Sequence, residues 1–248
     1  EYQSLLKSND YNLVYKKAIE YYNKGDYQRA MNLLDGVRSV FVGQAKAQNI
    51  AYYRAFCSYN MKDYQIASDL FKQFIQTYPE SSFAEECLYM MGFCDYKASP
   101  KPRLDQQVTE KAIREFQLYL SRYPYSMRKD KVNTYMDEMR DKLSYKAYLS
   151  AKNYYLREHY KAAVISLQNC LKDYPGSKYR EEIMYMLFVS KYQMAVNSVE
   201  DKKVERYNNA REEYYYFADE YPNSRYAADV KKMYEDIEAY LENYKFED

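Results

Sequence analysis

Three observations predict an all-α fold built by repeating one helical hairpin. The first is a recurring break: Tyr78-Pro79-Glu80-Ser81, Tyr123-Pro124-Tyr125-Ser126, Tyr174-Pro175-Gly176-Ser177 and Tyr221-Pro222-Asn223-Ser224 share one pattern. The second is a ruler: Ala67, Ala112, Ala163 and Ala210 each stand twelve residues before the proline, and Ala30 stands twelve before Val42 in a first copy that lacks Tyr-Pro. The third is composition. Five glycines and six prolines in 248 residues are too few to turn an all-β chain of this length.

The ruler defines the second helix of each pair, helix B. A tyrosine lies three residues before the alanine in four copies (Tyr27, Tyr64, Tyr160, Tyr207), with Thr109 in the third copy. Four residues after the alanine come Leu34, Phe71, Phe116, Leu167 and Tyr214. Alanine and the large residue share one helical face, and the small side chain lets a neighbouring helix approach closely. Proline ends the helix, and the serine two residues on is placed to N-cap the next one. Helix A aligns as well. Ala18, Ala55, Gly92 and Ala151 hold its small-residue position, with Phe188 in the fifth copy. Tyrosines flank that position on both sides: Tyr15, Tyr52, Tyr89, Tyr148 and Tyr185 before it, Tyr22, Tyr59, Tyr96, Tyr155 and Tyr192 after it. Members of a pair lie seven residues apart and share a face to within about 20°, so stacked helices A bring them into two parallel ladders. This is the tetratricopeptide (TPR) pattern. The expected architecture is a superhelical solenoid of five helix pairs plus a C-terminal capping helix.

The copies are longer than the roughly 34 residues of a minimal unit, and the extra length has readable places. In the third unit it is the loop Ser99-Pro100-Lys101-Pro102-Arg103-Leu104-Asp105, where two prolines forbid a helix. In the fifth it is read as a polar loop over 197–203. In the fourth, no Gly or Pro interrupts Ser126 to Tyr160, and one long helix is expected over 127–157. Its excess of about four turns adds about 21 Å while keeping phase. The segment 225–244 reads as a last amphipathic helix that closes the array. The organisation expected is 1–123, units one to three, and 124–248, units four and five with the capping helix.

Charge and composition exclude several functions. Lys and Arg number 37 against 36 Asp and Glu, interspersed along the chain, so no electrostatic footprint for nucleic acid exists. No apolar stretch approaches the roughly 20 residues that span a bilayer. No catalytic, metal or cofactor pattern emerges. The one histidine, His159, falls at the turn between the helices of unit four, where Asp26 and Asp63 stand in other units. The four cysteines lack zinc spacing, and Cys57 and Cys94 occupy equivalent positions, as buried small apolar residues do. The acidic pairs Glu85-Glu86, Glu181-Glu182 and Glu212-Glu213 are read as helix starts or outer faces. Tyrosine is the outlier, at 35 residues with no tryptophan. Aromatic surfaces with polar tips suit extended, aromatic-rich peptides. The candidate peptide-binding groove is therefore the earlier ladder with the phenylalanines beside it: Tyr15, Tyr52, Phe56, Tyr89, Phe93, Tyr148 and Tyr185.

With these features in hand, the chain resembles the BamD family, the tetratricopeptide lipoprotein subunit of the outer-membrane β-barrel assembly machine, in its Bacteroidetes form. The carriers are Lys24-Gly25-Asp26-Tyr27 with Ala30, Tyr89-Met90-Met91-Gly92, the loop Ser99 to Gln106, Arg140-Asp141-Lys142-Leu143 with Lys146-Ala147-Tyr148, and Asp173 to Glu182. Five units, a proline loop in unit three and a long helix opening unit four complete the likeness. The resemblance implies a non-catalytic scaffold anchored to the outer membrane, on its periplasmic face, by lipid on a cysteine that would precede Glu1. It implies that the N-terminal units receive aromatic-rich targeting sequences of unfolded outer-membrane proteins. It also implies that the C-terminal units dock on the periplasmic domains of a BamA-like barrel-forming subunit, alongside other lipoproteins of the complex. The rival expectations are a generic TPR adaptor in envelope or cell-division coordination and an enzyme on a helical solenoid. The latter would need titratable groups converging in the groove.

Overall fold

The computed structural model describes residues 2–244, and every regular element among them is a helix. Five pairs follow one another: α2 (Tyr11–Asn23) with α3 (Tyr27–Val37), α4 (Ala45–Asn60) with α5 (Tyr64–Thr77), α6 (Ala84–Ala98) with α7 (Gln107–Arg122), α8 (Lys129–Leu156) with α9 (Tyr160–Asp173), and α10 (Arg180–Val196) with α11 (Glu200–Glu220). The capping helix is α12 (Ala227–Tyr244), and a short α1 (Tyr2–Leu6), which the repeat pattern does not contain, precedes the array. This is the tetratricopeptide arrangement expected. The chain forms two compact units, 1–139 and 140–248, so the division falls within α8. In the first, consecutive helices from α2 to α7 pack on one another, and in the second those from α9 to α12 do the same.

The marker residues do what their size suggests. Ala30, Ala67, Ala112, Ala163 and Ala210 are fully buried, as are Ala18, Ala55, Ala151 and Phe188 of helix A. Gly92 is the closest approach: a Cβ built there would lie 2.9 Å from Cδ1 of Phe116. Around these contacts the core of the first unit gathers Phe71, Phe74, Leu88, Phe116 and Tyr119, and that of the second gathers Leu167, Phe188, Phe217 and Ile237.

The breaks explain where helices B stop. Tyr78, Tyr123, Tyr174 and Tyr221 leave the helical region together, with φ near −130° and ψ near 60° (−129° and 58° at Tyr78), because the following proline ring crowds the α conformation. The serine differs from expectation. Its hydroxyl accepts from the N–H two residues on, as Ser81 does from Phe83 at 3.2 Å, and closes a single turn one step ahead of the helix. The hydroxyl also ties the break to the preceding helix A: Ser126 donates to Glu85 (2.8 Å), Ser224 donates to Glu181 (2.6 Å), and Ser144 donates to Ser177 (2.8 Å). Two further expectations are corrected. The segment 197–203 is not a loop throughout, since α11 begins at Glu200, where Glu200 and Asp201 favour the positive end of the helix dipole. Nor are the acidic pairs simply outward-facing: Glu213 is buried and pairs with Lys191 at 2.5 Å.

The turn inside three of the pairs is a left-handed cap. In units one, two and four it is formed by Gly25, Lys62 and Glu158, with φ of 81°, 68° and 59°. The next N–H reaches back to the helix, from Asp26 to Tyr21 O, Asp63 to Ser58 O and His159 to Tyr154 O, the bond of a Schellman motif. A side chain in this conformation costs about 1–2 kcal/mol, offset in part by the greater unfolded-state freedom of glycine. Lys62→Gly and Glu158→Gly are each expected to stabilise the protein by about 1 kcal/mol. The urea midpoint should rise with an unchanged slope, and a lower midpoint would contradict the account.

Candidate peptide-binding surface

In the first unit, five of the candidate residues lie on helices α2, α4 and α6. Tyr52 packs on Phe56 and Phe83, both at 4.6 Å between ring centres. Phe56 meets Tyr59 at 6.3 Å, Tyr59 meets Phe93 at 6.2 Å, and Phe93 stacks on Tyr89 at 5.7 Å and on Tyr96 at 5.9 Å. Tyr135, on the first half of α8, closes the series against Phe93, Tyr96 and Phe116 at 5.5, 4.5 and 5.9 Å. The result is one continuous aromatic surface. Tyr52, Phe56, Tyr59, Phe93, Tyr96 and Tyr135 are half-buried in it, and Tyr89 is buried. Tyr15 packs instead on Phe41 (6.1 Å) beneath the ammonium of Lys46.

Polar tips are held by acidic partners on the next helix A. The Tyr52 hydroxyl donates to Glu86 at 2.9 Å, and in the second unit Tyr148 donates to Glu182 at 2.8 Å. Both partners stand 34 residues further on, in the first turn of that helix. Burial first pushes both phenols above their ordinary pKa, helped by the carboxylate at hydrogen-bond distance and, at Tyr148, opposed by the Lys152 ammonium that donates to its hydroxyl, so they remain neutral donors. Arg128 completes the first arrangement, with Nη2 at 3.5 Å from Glu86 and its guanidinium carbon 4.7 Å from the Tyr89 ring centre. Cation, ring and carboxylate thus lock one another's orientation.

The remaining two candidates belong to the second unit. Tyr148 is buried and stacks on Tyr179 at 4.3 Å. With Tyr145, Leu149, Lys152, Asn153 and Leu156 these rings line a depression of about 410 Å³. Tyr185 stacks on Tyr226 at 4.0 Å. The later ladder is tied by its own tips, as Tyr96 donates to Glu138 and Tyr192 to Asp236.

Several participants are invisible to the repeat ruler. Tyr135 lies in the extra turns of α8, which have no counterpart in other units. Arg128 stands where the other three breaks carry an aromatic residue, Phe83, Tyr179 or Tyr226. Glu86 and Glu182 carry a signal, since each stands 34 residues after its tyrosine, but their place at a helix start points to the dipole alone.

Elsewhere the chemistry is quiet. His159 sits exposed at the N-cap of α9, and its side chain makes no cap hydrogen bond. All four cysteines are buried, and burial pushes the thiols of Cys57 and Cys87 up to about 12 and that of Cys170 to about 11, far from a reactive thiolate. No group of three or more His, Cys, Asp or Glu among the described residues is placed to hold a metal ion. No described helix is long and apolar enough to cross a membrane.

Solved structures similar to this chain share little of its sequence. The TPR2AB domain of yeast Sti1, solved in its pHSP90 complex, is 13% identical, with 92% of this chain and 98% of that chain covered and a TM-score of 0.41. A TPR repeats protein from Bacteroides fragilis is 12% identical, with 94% and 99% covered and a TM-score of 0.43. Human IFIT1, solved as a dimer with PPP-AAAA, is 17% identical, with 93% and 56% covered and a TM-score of 0.33. A search of the curated proteins finds no match. The family model for YfiO, described as an outer membrane lipoprotein, matches residues 7–182 and 146–247. Those matches take in nearly the whole repeat array, and the chain belongs to the YfiO family of outer membrane lipoproteins.

Proposed function

We propose that this protein is a scaffold subunit of the outer-membrane β-barrel assembly machinery, close to the Bacteroidetes form of that subunit. Its first three units receive aromatic-rich targeting segments of unfolded outer-membrane proteins. Units four and five with the capping helix, 124–248, dock on the periplasmic domains of a BamA-like barrel-forming subunit and neighbouring lipoproteins. Lipid on a cysteine preceding Glu1 holds the chain on the periplasmic face. Glu1 itself lies outside the described residues. Family membership supports the setting. The observation that carries the peptide-binding role is the continuous aromatic surface of Tyr52, Phe56, Tyr59, Phe93 and Tyr96, half-buried and therefore partly open to a ligand. Ring faces and edges at this spacing accept an aromatic side chain, each good contact contributing about 0.5–1.5 kcal/mol beyond burial.

The test uses conservative variants. Tyr89 is 7% exposed in the core, and alanine there would leave a cavity costing about 3–5 kcal/mol. Phe56→Leu with Phe93→Leu keeps the volume but removes the aromatic faces. The pair is expected to weaken binding of a fluorescent peptide ending in phenylalanine by about tenfold, or about 1.4 kcal/mol. Unchanged affinity in a double variant that melts like the parent would sink the assignment. Recovery of a barrel-type subunit with the full-length lipoprotein from detergent-solubilised membranes tests the docking role, and its absence would overturn that part.

A further inference from the structure

The four turns that follow Tyr-Pro share one backbone, so each serves as a control for the others. The residue after proline is Glu80, Tyr125, Gly176 or Asn223, and the residue after serine is Ser82, Met127, Lys178 or Arg225. All eight positions are exposed. Only the turn that closes unit three fills both with large apolar side chains, and both stand wholly in solvent, Tyr125 at 98% exposure and Met127 at 102%. Ordinary surface hydrophobes are scattered singly and covered in part. Two at full exposure, two residues apart, flank a residue whose own side chain points inward.

That inward residue makes the turn rigid. The Ser126 hydroxyl donates to Glu85 at 2.8 Å, shares a hydrogen bond with the Tyr119 hydroxyl at 2.6 Å and accepts from the Arg128 N–H at 3.1 Å. Its N–H donates to Tyr123 O and its carbonyl accepts from the Lys129 N–H, both at 3.1 Å. Tyr125 and Met127 therefore project from a pinned base, and ordering them on contact costs little chain entropy. The flanking chain is basic: Arg122, Lys129 and Lys131 are exposed, Asp130 is the one acid between 121 and 131, and the nearby Glu85 and Glu86 of α6 are engaged by Ser126 and Arg128.

We propose that the Tyr125–Met127 turn is a membrane-contact tip that inserts into the headgroup region of an anionic phospholipid bilayer. A convex apolar tip needs no matching pocket in a lipid surface. Tyrosine settles at that interface with ring buried and hydroxyl wet, and the basic collar meets lipid phosphates. Membership in an outer membrane lipoprotein family puts the chain beside such a surface. A second contact beside a lipid anchor would orient the protein on that surface. The proposal stands apart from the peptide-binding role and survives its failure.

The sequence contains no tryptophan, so Tyr125→Trp places a single reporter at the tip. With vesicles of phosphatidylglycerol and phosphatidylcholine, its emission is expected to shift to the blue and to be quenched by brominated acyl chains. Glu80→Trp, at the equivalent position of the turn that closes unit two, should keep the emission of an indole in water. Adding Met127→Ser to the reporter should lower the bound fraction several-fold. Raised salt or vesicles of phosphatidylcholine alone should do the same through the basic collar. Unchanged emission of the Tyr125→Trp protein at saturating lipid overturns the proposal, as does an equal shift from Glu80→Trp. A shift that follows protein concentration without lipid would mark a contact between copies of the chain and also overturn it.

Discussion

Gly92→Ala is expected to destabilise the first compact unit by about 1–3 kcal/mol, the cost of overpacking a tight core. Helix propensity alone predicts the opposite, a gain of about 1 kcal/mol. The structure decides between them. The added Cβ would lie 2.9 Å from Cδ1 and 3.0 Å from Cε1 of Phe116, whose ring is fully buried and cannot swing away. The second repeat shows that the pairing is not forbidden in itself, since Ala55 and Phe71 occupy the equivalent positions and are both buried. There the phenylalanine ring meets Phe56 edge-on at 5.0 Å. In the third repeat Tyr135 of α8 stacks on Phe116 at 5.9 Å and 28°, which sets its ring against Gly92 instead. Phe116→Leu in the same protein should therefore recover part of the loss, giving a coupling of about 0.5–3 kcal/mol in a double-mutant cycle followed by denaturant melting. A Gly92→Ala protein more stable than the parent would refute the close-approach account.

The stability of the parent, measured against Glu115→Gln, is expected to fall as pH rises from about 4.5 to about 8. Glu115 on α7 is buried at 8% exposure, and Asp95 of α6 at 1%. One ammonium serves both: Lys111 Nζ lies 2.8 Å from Asp95 Oδ2 and 3.7 Å from Glu115 Oε1, with Ser68 of α5 donating to Asp95 at 3.0 Å. Asp69 approaches the same ammonium at 4.0 Å from the solvent side. Glu115 Oε2 is buried with no hydrogen-bond partner among the described residues. Burial, followed by the hydrogen bond with Asp95, pushes the Glu115 carboxyl up to about 8 from an ordinary 4.5. In that window the unfolded chain has released the proton while the folded chain keeps it, so higher pH favours unfolding. The loss amounts to a few kcal/mol, at about 1.4 kcal/mol for each tenfold difference in proton affinity between the folded and unfolded chain. It begins near the unfolded value and is complete above the folded one. Glutamine keeps the neutral, hydrogen-bonding shape and does not titrate, so the difference between the two proteins should grow through the window and then level off. A flat difference between pH 5 and 9 in urea titrations would show that Glu115 is ionised in the fold.

The same two helix positions carry Lys191 and Glu213 in the fifth repeat, where they form a direct ion pair. Equivalent positions thus hold a cation and an acid in one repeat and two acids in another. The repeat alignment exposes this pairing as a question, and only the placement of Lys111 answers it.

Repetition is what makes the fold legible. Each marker alanine has one reason to be small, and each proline one reason to end a helix. Five copies therefore specify the pairs, the long helix of unit four, the loop of unit three and the closing helix. Such features depend on period and backbone chemistry, which act over a few residues. The aromatic content of the candidate surface is legible for the same reason.

What only the tertiary structure decided depends on contacts between helices far apart in the chain. Tyr135 joins the aromatic surface because α8 returns it beside Phe93 and Tyr96, and Tyr15 turns to Phe41 because the loop after α3 lies against it. The serines of the breaks bond backwards to helix A, and Glu86 and Glu182 act as acceptors for tyrosines one repeat earlier. Ring orientation, hydroxyl partners and proton sharing are set by short-range forces among packed neighbours, and local sequence does not say who those neighbours are. Periodicity therefore determined the scaffold of this protein, and packing alone decided which of its many tyrosines form a surface and which turn stands bare in solvent.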